Sequence, residues 1–460
     1  MELAAWGLVL LLLLLPFRRH TNGLVHVCLY GSAGIVLLAA YLRWWDERRR
    51  AALGPGVDEK PSAARGARAR PAPANPVLAV DGSPAGEKVL LGPLAWPLGL
   101  VFLTAFLACC FSMAPGFSWH ELRSQLLESA LVYLAAVNLL GHPAWRRRVV
   151  WALFLAGVAS AFVGVGGYYG GFSGYFQGSG AKVGRALGSL VSYTRSAMYF
   201  ILWVPAMLAL LLHGGVRPAT GGVGKRWLQA AAIAAGGIAL AWWFLLLTST
   251  RGAIGVTAVA CVVLGATRHW KGAAAATILL LATALALPTF RARLAASIRD
   301  VSDLDQLLSK RLELWKTGGR VVRDHPWVGI GYGSDIFQED AVKAVYPLVN
   351  YKDQPDTHMF YLQAACEGGV PHLLALLLFF GAFLALGGRA LRRTWVAGPG
   401  LDRAVLLGTL TGVAAMLVYG LVGHFHETRV ALMTWYFVGL GCAAAFSAPG
   451  VTDQEEGVNG

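Results

Sequence analysis

Three side chains of this chain stand where long apolar runs meet short polar stretches: Arg195 in Tyr193-Thr-Arg-Ser, Arg251 in Thr248-Ser-Thr-Arg-Gly-Ala, and His358 in Asp356-Thr-His-Met. A guanidinium at a membrane edge can grip a diphosphate through bidentate hydrogen bonds, or it can simply snorkel to lipid headgroups. A neutral imidazole can take a proton from a sugar hydroxyl near neutral pH, or it can serve as an interfacial structural group. His424, His426, Glu427 and Arg429 form a further polar group between two apolar runs. That cluster suits orienting a base, contacting sugar, or interfacial hydrogen bonding. Which histidine acts as base stays open on these residues alone.

These side chains must be placed by membrane helices. Of 460 residues, 56% are hydrophobic and only 14% charged, and the mean hydropathy is +0.55. A soluble chain would carry about a quarter charged residues. The apolar runs are long and continuous and lack period-two alternation, so they read as helices and not as barrel strands. Twelve spans are expected, near 1–16, 24–44, 93–112, 127–141, 149–168, 196–213, 228–247, 252–267, 272–288, 361–387, 405–424 and 430–447. The fold expected is therefore all-α and polytopic. Its divisions are an N-terminal helix pair at 1–45, a transmembrane bundle at 93–288, a large loop at 289–360, C-terminal transmembrane helices at 361–447 and a disordered tail at 448–460. Between the first two, residues 46–92 are rich in Arg, Ala, Pro and Gly and predict a disordered basic linker.

Short-loop basic residues set the orientation. With the 46–92 linker inside, the other loops on that side carry Arg146-Arg-Arg148, then Arg217, Lys225 and Arg226, then Arg268 and Lys271, and finally Arg389, Arg392, Arg393 and Arg403. Both termini are then expected in the cytoplasm. The opposite face receives Arg195, Arg251, the long loop, His358 and the 424–427 cluster, none of which sets the orientation. A Gly-rich segment from Gly170 to Gly188 lies on the same side and can fold over a substrate.

The loop at 289–360 is the one long polar interruption between spans, and it reads as the roof of an active site. Within it Ser302-Asp-Leu-Asp305 has the form of a capping box, and Leu304, Leu308, Leu312, Trp315 and Val322 recur at helical spacing. An amphipathic helix of about five turns is expected, weakened or broken at Gly318-Gly319; it can lie on the outer membrane–water interface with its basic side toward lipid-linked phosphate, or pack on the loop as a solvated helix. Gly329-Ile-Gly-Tyr-Gly333 is expected to be a flexible turn.

Other chemistries find little support. The net charge of +14 comes mostly from clusters at span ends, which topology explains better than nucleic-acid binding. The six cysteines lie in or beside apolar runs, with no C-x-x-C pair and no zinc-ligand spacing. Gly329-x-Gly-x-Gly333 is not a dinucleotide fingerprint, and Gly178-Ser-Gly-Ala-Lys182 is not a P-loop.

Four ordered pieces carry a resemblance: Ser249-Thr-Arg-Gly-Ala, then Arg311-Leu-Glu-Leu-Trp315, then Arg323-Asp-His-Pro-Trp-Val-Gly-Ile-Gly331, and then His358-Met-Phe-Tyr-Leu-Gln-x3-Glu367-Gly-Gly. Together, over about Tyr193 to Glu427, the chain resembles the O-antigen ligase and O-antigen polymerase superfamily. The resemblance implies an inverting glycosyltransferase of GT-C-like fold in the bacterial inner membrane, needing no metal or other cofactor. Such an enzyme moves a glycan from undecaprenyl diphosphate to lipid A–core, as a ligase, or to another lipid-linked repeat, as a polymerase, at the periplasmic face. Arg251 and Arg195 would then engage the diphosphate and His358 the acceptor hydroxyl. Arg311 is a weaker phosphate candidate, and His424, His426 and Glu427 are candidates for substrate contact. Two departures from the ligase pattern are Met359 after the histidine and His372 three places after Gly369, where a small polar residue and a Tyr are usual. A lipid-linked glycan transporter is the reading from another class, but it calls for polar or broken-helix features at mid-membrane and for repeated halves, which the sequence does not display.

Overall fold

The structure is a computed structural model that describes residues 2–15, 24–36, 38, 92–170, 185–190, 192–214, 225–268, 270–286, 288, 291, 292, 295, 311–347, 356–398, 400–425 and 428–446. The expected capping box at 302–305, residues 46–91 of the linker, residues 171–184 of the Gly-rich segment, His426, Glu427 and the tail lie outside the described residues. Those described form helices and turns, with no strand among them.

The helices are α1 (Glu2–Leu14), α2 (Leu24–Val36), α3 (Ala95–Cys110), α4 (Pro115–Glu121), a π-helical turn (Leu122–Leu127), α5 (Glu128–Leu139), α6 (Pro143–Tyr169), α7 (Tyr193–His213), α8 (Lys225–Thr248), α9 (Arg251–Ala266), α10 (Trp270–Ala286), α11 (Arg311–Asp324), α12 (Asp340–Val345), α13 (Phe360–Ala397), α14 (Leu401–Tyr419) and α15 (Thr428–Phe446). Among the described residues six of these, α6, α7, α8, α13, α14 and α15, are long and apolar enough to cross a membrane. The shorter helices α1, α2, α3, α9 and α10 are also apolar. The chain is a polytopic, all-helical membrane protein. The expected span at 127–141 is the C-terminal part of one continuous element that starts earlier, with α4, and passes through the π turn into α5.

Small residues let the central helices approach closely, which matters where lipid removes the usual hydrophobic drive for helices to associate. Gly408 lies against the Ala206 backbone and Gly412 against that of Leu202, so α14 and α7 run antiparallel in tight register. α7 and α15 are buried along most of their length. At one end of the bundle Arg146, fully buried at the start of α6, pairs with Asp402 at the start of α14 (2.9 Å), and its guanidinium also donates to the carbonyls of Leu140 (2.8 Å) and Gly141 (2.6 Å). His213, at the end of α7, bonds Thr267 beyond α9 at this same end (3.0 Å).

At the opposite end α13 is broken. Gly368 (φ −129°, ψ 17°) and Gly369 (φ +73°) are non-helical, and Pro371 has no N–H to give the Glu367 carbonyl four residues back. The loop between α11 and α12 satisfies the exposed backbone groups. Ile330 N–H donates to the Cys366 carbonyl (2.8 Å), Gly331 N–H to that of Glu367 (3.2 Å), and Val370 N–H to that of Pro326 (2.8 Å). The Gly329-x-Gly-x-Gly333 stretch is thus a buried wedge, which corrects the expectation of a flexible turn. Ile330 and Tyr332 are fully buried, and a Cβ at Gly329 would fall 2.3 Å from the Cys366 oxygen.

The loop helix also differs from its expected form. α11 continues through Gly318-Gly319, where Gly318 packs closely against the side chains of Leu362 and Thr357. Its buried face is Leu314, Gly318 and Val321, and the expected Leu312, Trp315 and Val322 flank that face.

Candidate active site

The turn Gly420 to Phe425, which leaves α14, gathers most of the candidate residues. Phe360 N–H donates to the carbonyls of Gly420 (2.9 Å) and Gly423 (3.1 Å), which docks the start of α13 on the turn. The Phe360 ring stacks on Phe425 (4.2 Å) and, more loosely, on His424 (6.4 Å). Arg311, the first residue of α11, donates to the Val422 carbonyl. A Cβ on Gly252 would lie 3.1 Å from Val422 and 3.3 Å from Tyr419, so the first turn of α9, which begins at Arg251, abuts the same turn.

Just before α13, Asp356 and His358 form a tight pair. Asp356 Oδ1 accepts from His358 Nδ1 (2.7 Å) and from the His358 backbone N–H (2.5 Å). The carboxyl is almost completely buried, while the imidazole is about 30% exposed. Burial works to raise the Asp356 pKa, but its hydrogen bond to His358 and the His358 charge more than offset this, with a further contribution from His424, and the carboxyl sits below its ordinary value. An ionised carboxylate can only accept, so Nδ1 carries the ring proton and Nε2 is left as the basic nitrogen. His358 has φ +54°, a conformation that is strained for a side chain with a Cβ and that clusters at functional positions.

The arginines lie at the same end. Arg251 is exposed at the first position of α9, directly after Ser249, which has φ +53°. Arg185 braces that turn, donating to the carbonyls of Thr248 (2.8 Å) and Ser249 (3.2 Å) and to the Thr250 hydroxyl (3.4 Å). Its guanidinium also covers the ring of Tyr193, the first residue of α7 (3.5 Å). Arg195 is half-buried in that first turn, and its N–H is capped by the Ser192 hydroxyl (3.4 Å). Carried two turns beyond the contacts of Gly408 and Gly412, the antiparallel register of α7 and α14 brings Arg195 level with Tyr419. α7 and α9 both begin here, so their positive helix ends add to the guanidinium charge, a favourable setting for a phosphate group.

Behind the histidine lies a buried polar network. Gln363 Oε1 accepts from the Thr357 N–H (3.0 Å), and its Nε2 donates to the Ser334 carbonyl (3.3 Å) and to Glu367 Oε1 (2.9 Å). Gln125 in the π turn donates to the Ser334 hydroxyl (2.8 Å) and to Glu121. Burial and the nearby Asp335 charge push Glu121 up to about 7, against the lowering effect of the Gln125 hydrogen bond.

The structure therefore docks Arg311 on the turn that carries His424, packs Gly252 and Phe360, the close chain neighbours of Arg251 and His358, against the same turn, and sets Arg195 at the same level, while His426 and Glu427 lie outside the described residues. Arg311 has a main-chain carbonyl as partner, which gives it a structural duty beside any phosphate contact. Three features escaped the sequence reading. Asp356, two residues before the histidine, carries a local signal, because Asp side chains readily bond the backbone two residues on. Arg185 and the Gln125–Ser334 contact carry none, since their partners lie far away in sequence.

Residues 236–380 match the family model for the O-antigen ligase domain. This domain is shared by O-antigen ligases and polymerases, and enzymes that carry it are membrane glycosyltransferases acting on lipid-linked glycans. The match takes in Arg251, Arg311, the Asp356–His358 turn and the break in α13, but neither Arg185 and Arg195 nor His424. No curated protein matches the chain.

Proposed function

We propose that this chain, through the O-antigen ligase domain at residues 236–380, transfers a glycan from undecaprenyl diphosphate to lipid A–core at the periplasmic face of a bacterial inner membrane. The observation that carries the proposal is that the segments bearing Arg251, Arg311 and His358 all pack on the Gly420–Phe425 turn, which itself carries His424. That turn lies at the end of the bundle opposite the buried Arg146–Asp402 pair, which belongs to the end where short-loop arginines favour the cytoplasm. About twelve spans in a GT-C-like arrangement, with the polar loop at 289–360 as roof and both termini in the cytoplasm, complete the reading.

The chemistry is a direct displacement that inverts the anomeric carbon. His358, held by Asp356 through Nδ1, takes the acceptor hydroxyl proton at Nε2 as oxygen attacks the donor sugar. The bond to the diphosphate breaks, and Arg251 and Arg195, with the first turns of α9 and α7, stabilise the charge that develops on the leaving group. The diphosphate is already a good leaving group, so most of the task is positioning and charge stabilisation. The site stands at a membrane face because the donor's lipid tail stays in the bilayer.

Repeat-unit polymerisation is the second reading. It is favoured by Met359 and by His372, which stands where the ligase pattern has a Tyr. His372 is buried, bonded to Thr104 (2.9 Å) and packed on Tyr332. The test is the lipopolysaccharide and lipid-linked glycan profile of a strain lacking the gene. Loss of polymer from lipid A–core, with long polymer retained on undecaprenyl diphosphate, identifies a ligase. Lipid A–core capped by a single repeat identifies a polymerase. Glycan trapped on the cytoplasmic face identifies a transporter and overturns the enzymatic reading.

A further inference from the structure

We infer that Gln363 and Gln125 are positioning residues for His358, so that the 115–127 stretch, outside the O-antigen ligase domain, is a working part of the site; the inference rests on the proposed role of His358 as base. An L residue keeps the positive φ of His358 only where its surroundings hold it there. Two successive backbone donors of the turn are fixed by side chains: Asp356 takes the N–H of His358, and Gln363 takes that of Thr357. Gln363 is fully buried, and both ends of its amide are engaged, so it has one orientation. That orientation is set by Glu367 on one side and by the Ser334 carbonyl on the other.

Ser334 is in turn held from outside the domain. Its hydroxyl accepts from Gln125, which is buried in the π turn and also bonded to Glu121. π turns widen a helix locally, reorient its side chains and recur at functional sites. A chain of buried amides and hydroxyls thus runs from the π turn through Ser334 and Gln363 to the strained turn that carries the imidazole. An apolar side chain at 363 would fill the space, but only an acceptor there satisfies the Thr357 N–H.

The experiment uses the full chain purified in detergent, with a lipid-diphosphate-linked glycan as donor and the acceptor identified by the deletion-strain profile. Gln363→Ala is expected to lower kcat about tenfold to a hundredfold, the scale on which small misplacements of a reacting group act. The donor KM should stay within about twofold, because Arg195 and Arg251, which take the diphosphate in the proposed reaction, stand on α7 and α9. Combined with Asp356→Asn, Gln363→Ala should cost less than the product of the two single losses, since both act through one imidazole. Gln125→Ala should give a smaller kcat loss of the same kind, and it serves as the test if Gln363→Ala reduces the yield of folded protein. Unchanged kcat in both glutamine variants, a changed donor KM with intact kcat, or strictly multiplicative losses would overturn the inference. A wild-type protein that transfers no glycan would instead overturn the proposed function.

Discussion

Asp356 holds His358 twice, accepting from its ring at Nδ1 (2.7 Å) and from its own backbone N–H (2.5 Å). The same carboxylate therefore selects the ring tautomer and pins the strained backbone. Asp356→Asn keeps the shape but loses the charge, and its kcat should drop at least about tenfold in a glycan-transfer assay. Because the Asp356 carboxyl lies below its ordinary value in the fold, its stabilising contribution is complete at neutral pH and is lost as pH falls through that depressed value. The unfolding midpoints of wild type and Asp356→Asn should differ at pH 7 and converge well below the ordinary Asp value of about 3.9.

Arg185 braces the Thr248–Thr250 turn that leads directly into Arg251, and is expected to hold Arg251 through that backbone. Arg185→Ala removes the hydrogen bonds to Thr248, Ser249 and Thr250 and frees the turn that launches α9. We expect the donor KM to rise roughly fivefold to tenfold, the effect of losing about 1–1.4 kcal/mol of binding, with a smaller change in kcat. Arg185→Lys should recover little, because an ammonium cannot reproduce a planar fork over carbonyls and an aromatic ring. Steady-state kinetics against donor concentration would separate these outcomes.

Gly369 is where the loop wedge meets the broken helix. A Cβ there would fall 2.4 Å from the Trp327 carbonyl carbon and 2.6 Å from the Pro326 oxygen, and φ is +73°. Both obstacles are backbone, so neither can swing aside. Gly369→Ala should destabilise the fold by at least about 1–3 kcal/mol from the strained conformation alone. Thermal unfolding in detergent would measure it, and a midpoint equal to wild type would refute the wedge as drawn.

The Arg146–Asp402 pair tests the opposite end of the bundle. Arg146 is fully buried, so Asp402→Ala leaves its charge without its carboxylate partner. Such losses typically cost about 3–5 kcal/mol. Stability should fall while kcat per folded molecule holds, because this end carries no proposed substrate contact. A kcat loss with unchanged stability would contradict that division of labour.

Glu121 makes a prediction of opposite sign to Asp356. Its folded pKa is raised from 4.5 to about 7, so the protonated form is the one the fold prefers. The stability it contributes is full below its ordinary value and fades as pH rises through 7. Glu121→Gln should therefore leave the unfolding midpoint nearly unchanged at pH 5 and raise it at pH 8. An equal shift at both values would exclude titration of this carboxyl.

Much of this protein can be read from sequence because the membrane imposes simple rules. A long apolar run must become a helix, since no water is present to satisfy its backbone. Loop arginines then distinguish the two faces, and that rule alone puts Arg251, His358 and His424 on the same one. Local chemistry was harder even where the signal was short. The Asp-Thr-His stretch was visible, yet the Asp356 carboxylate became meaningful only when the backbone at His358 proved to have positive φ.

What tertiary structure alone decided has a common cause, which is pairing across large sequence separations. Arg185 reaches Thr248, Gln125 reaches Ser334, and Arg311 reaches Val422, and no periodicity in the sequence encodes those pairs. The alternate glycines at 329, 331 and 333 read as flexibility because glycine removes a side chain, but in the fold the missing side chains are what let the loop backbone enter the break in α13. Similarly, Gly318-Gly319 weakens a helix considered alone, yet α11 runs through it because packing against Leu362 and Thr357 outweighs propensity. Composition determined by itself that long apolar helices exist, because each apolar run meets lipid by itself. Which side chains meet at the Gly420–Phe425 turn depended on how all the helices pack together.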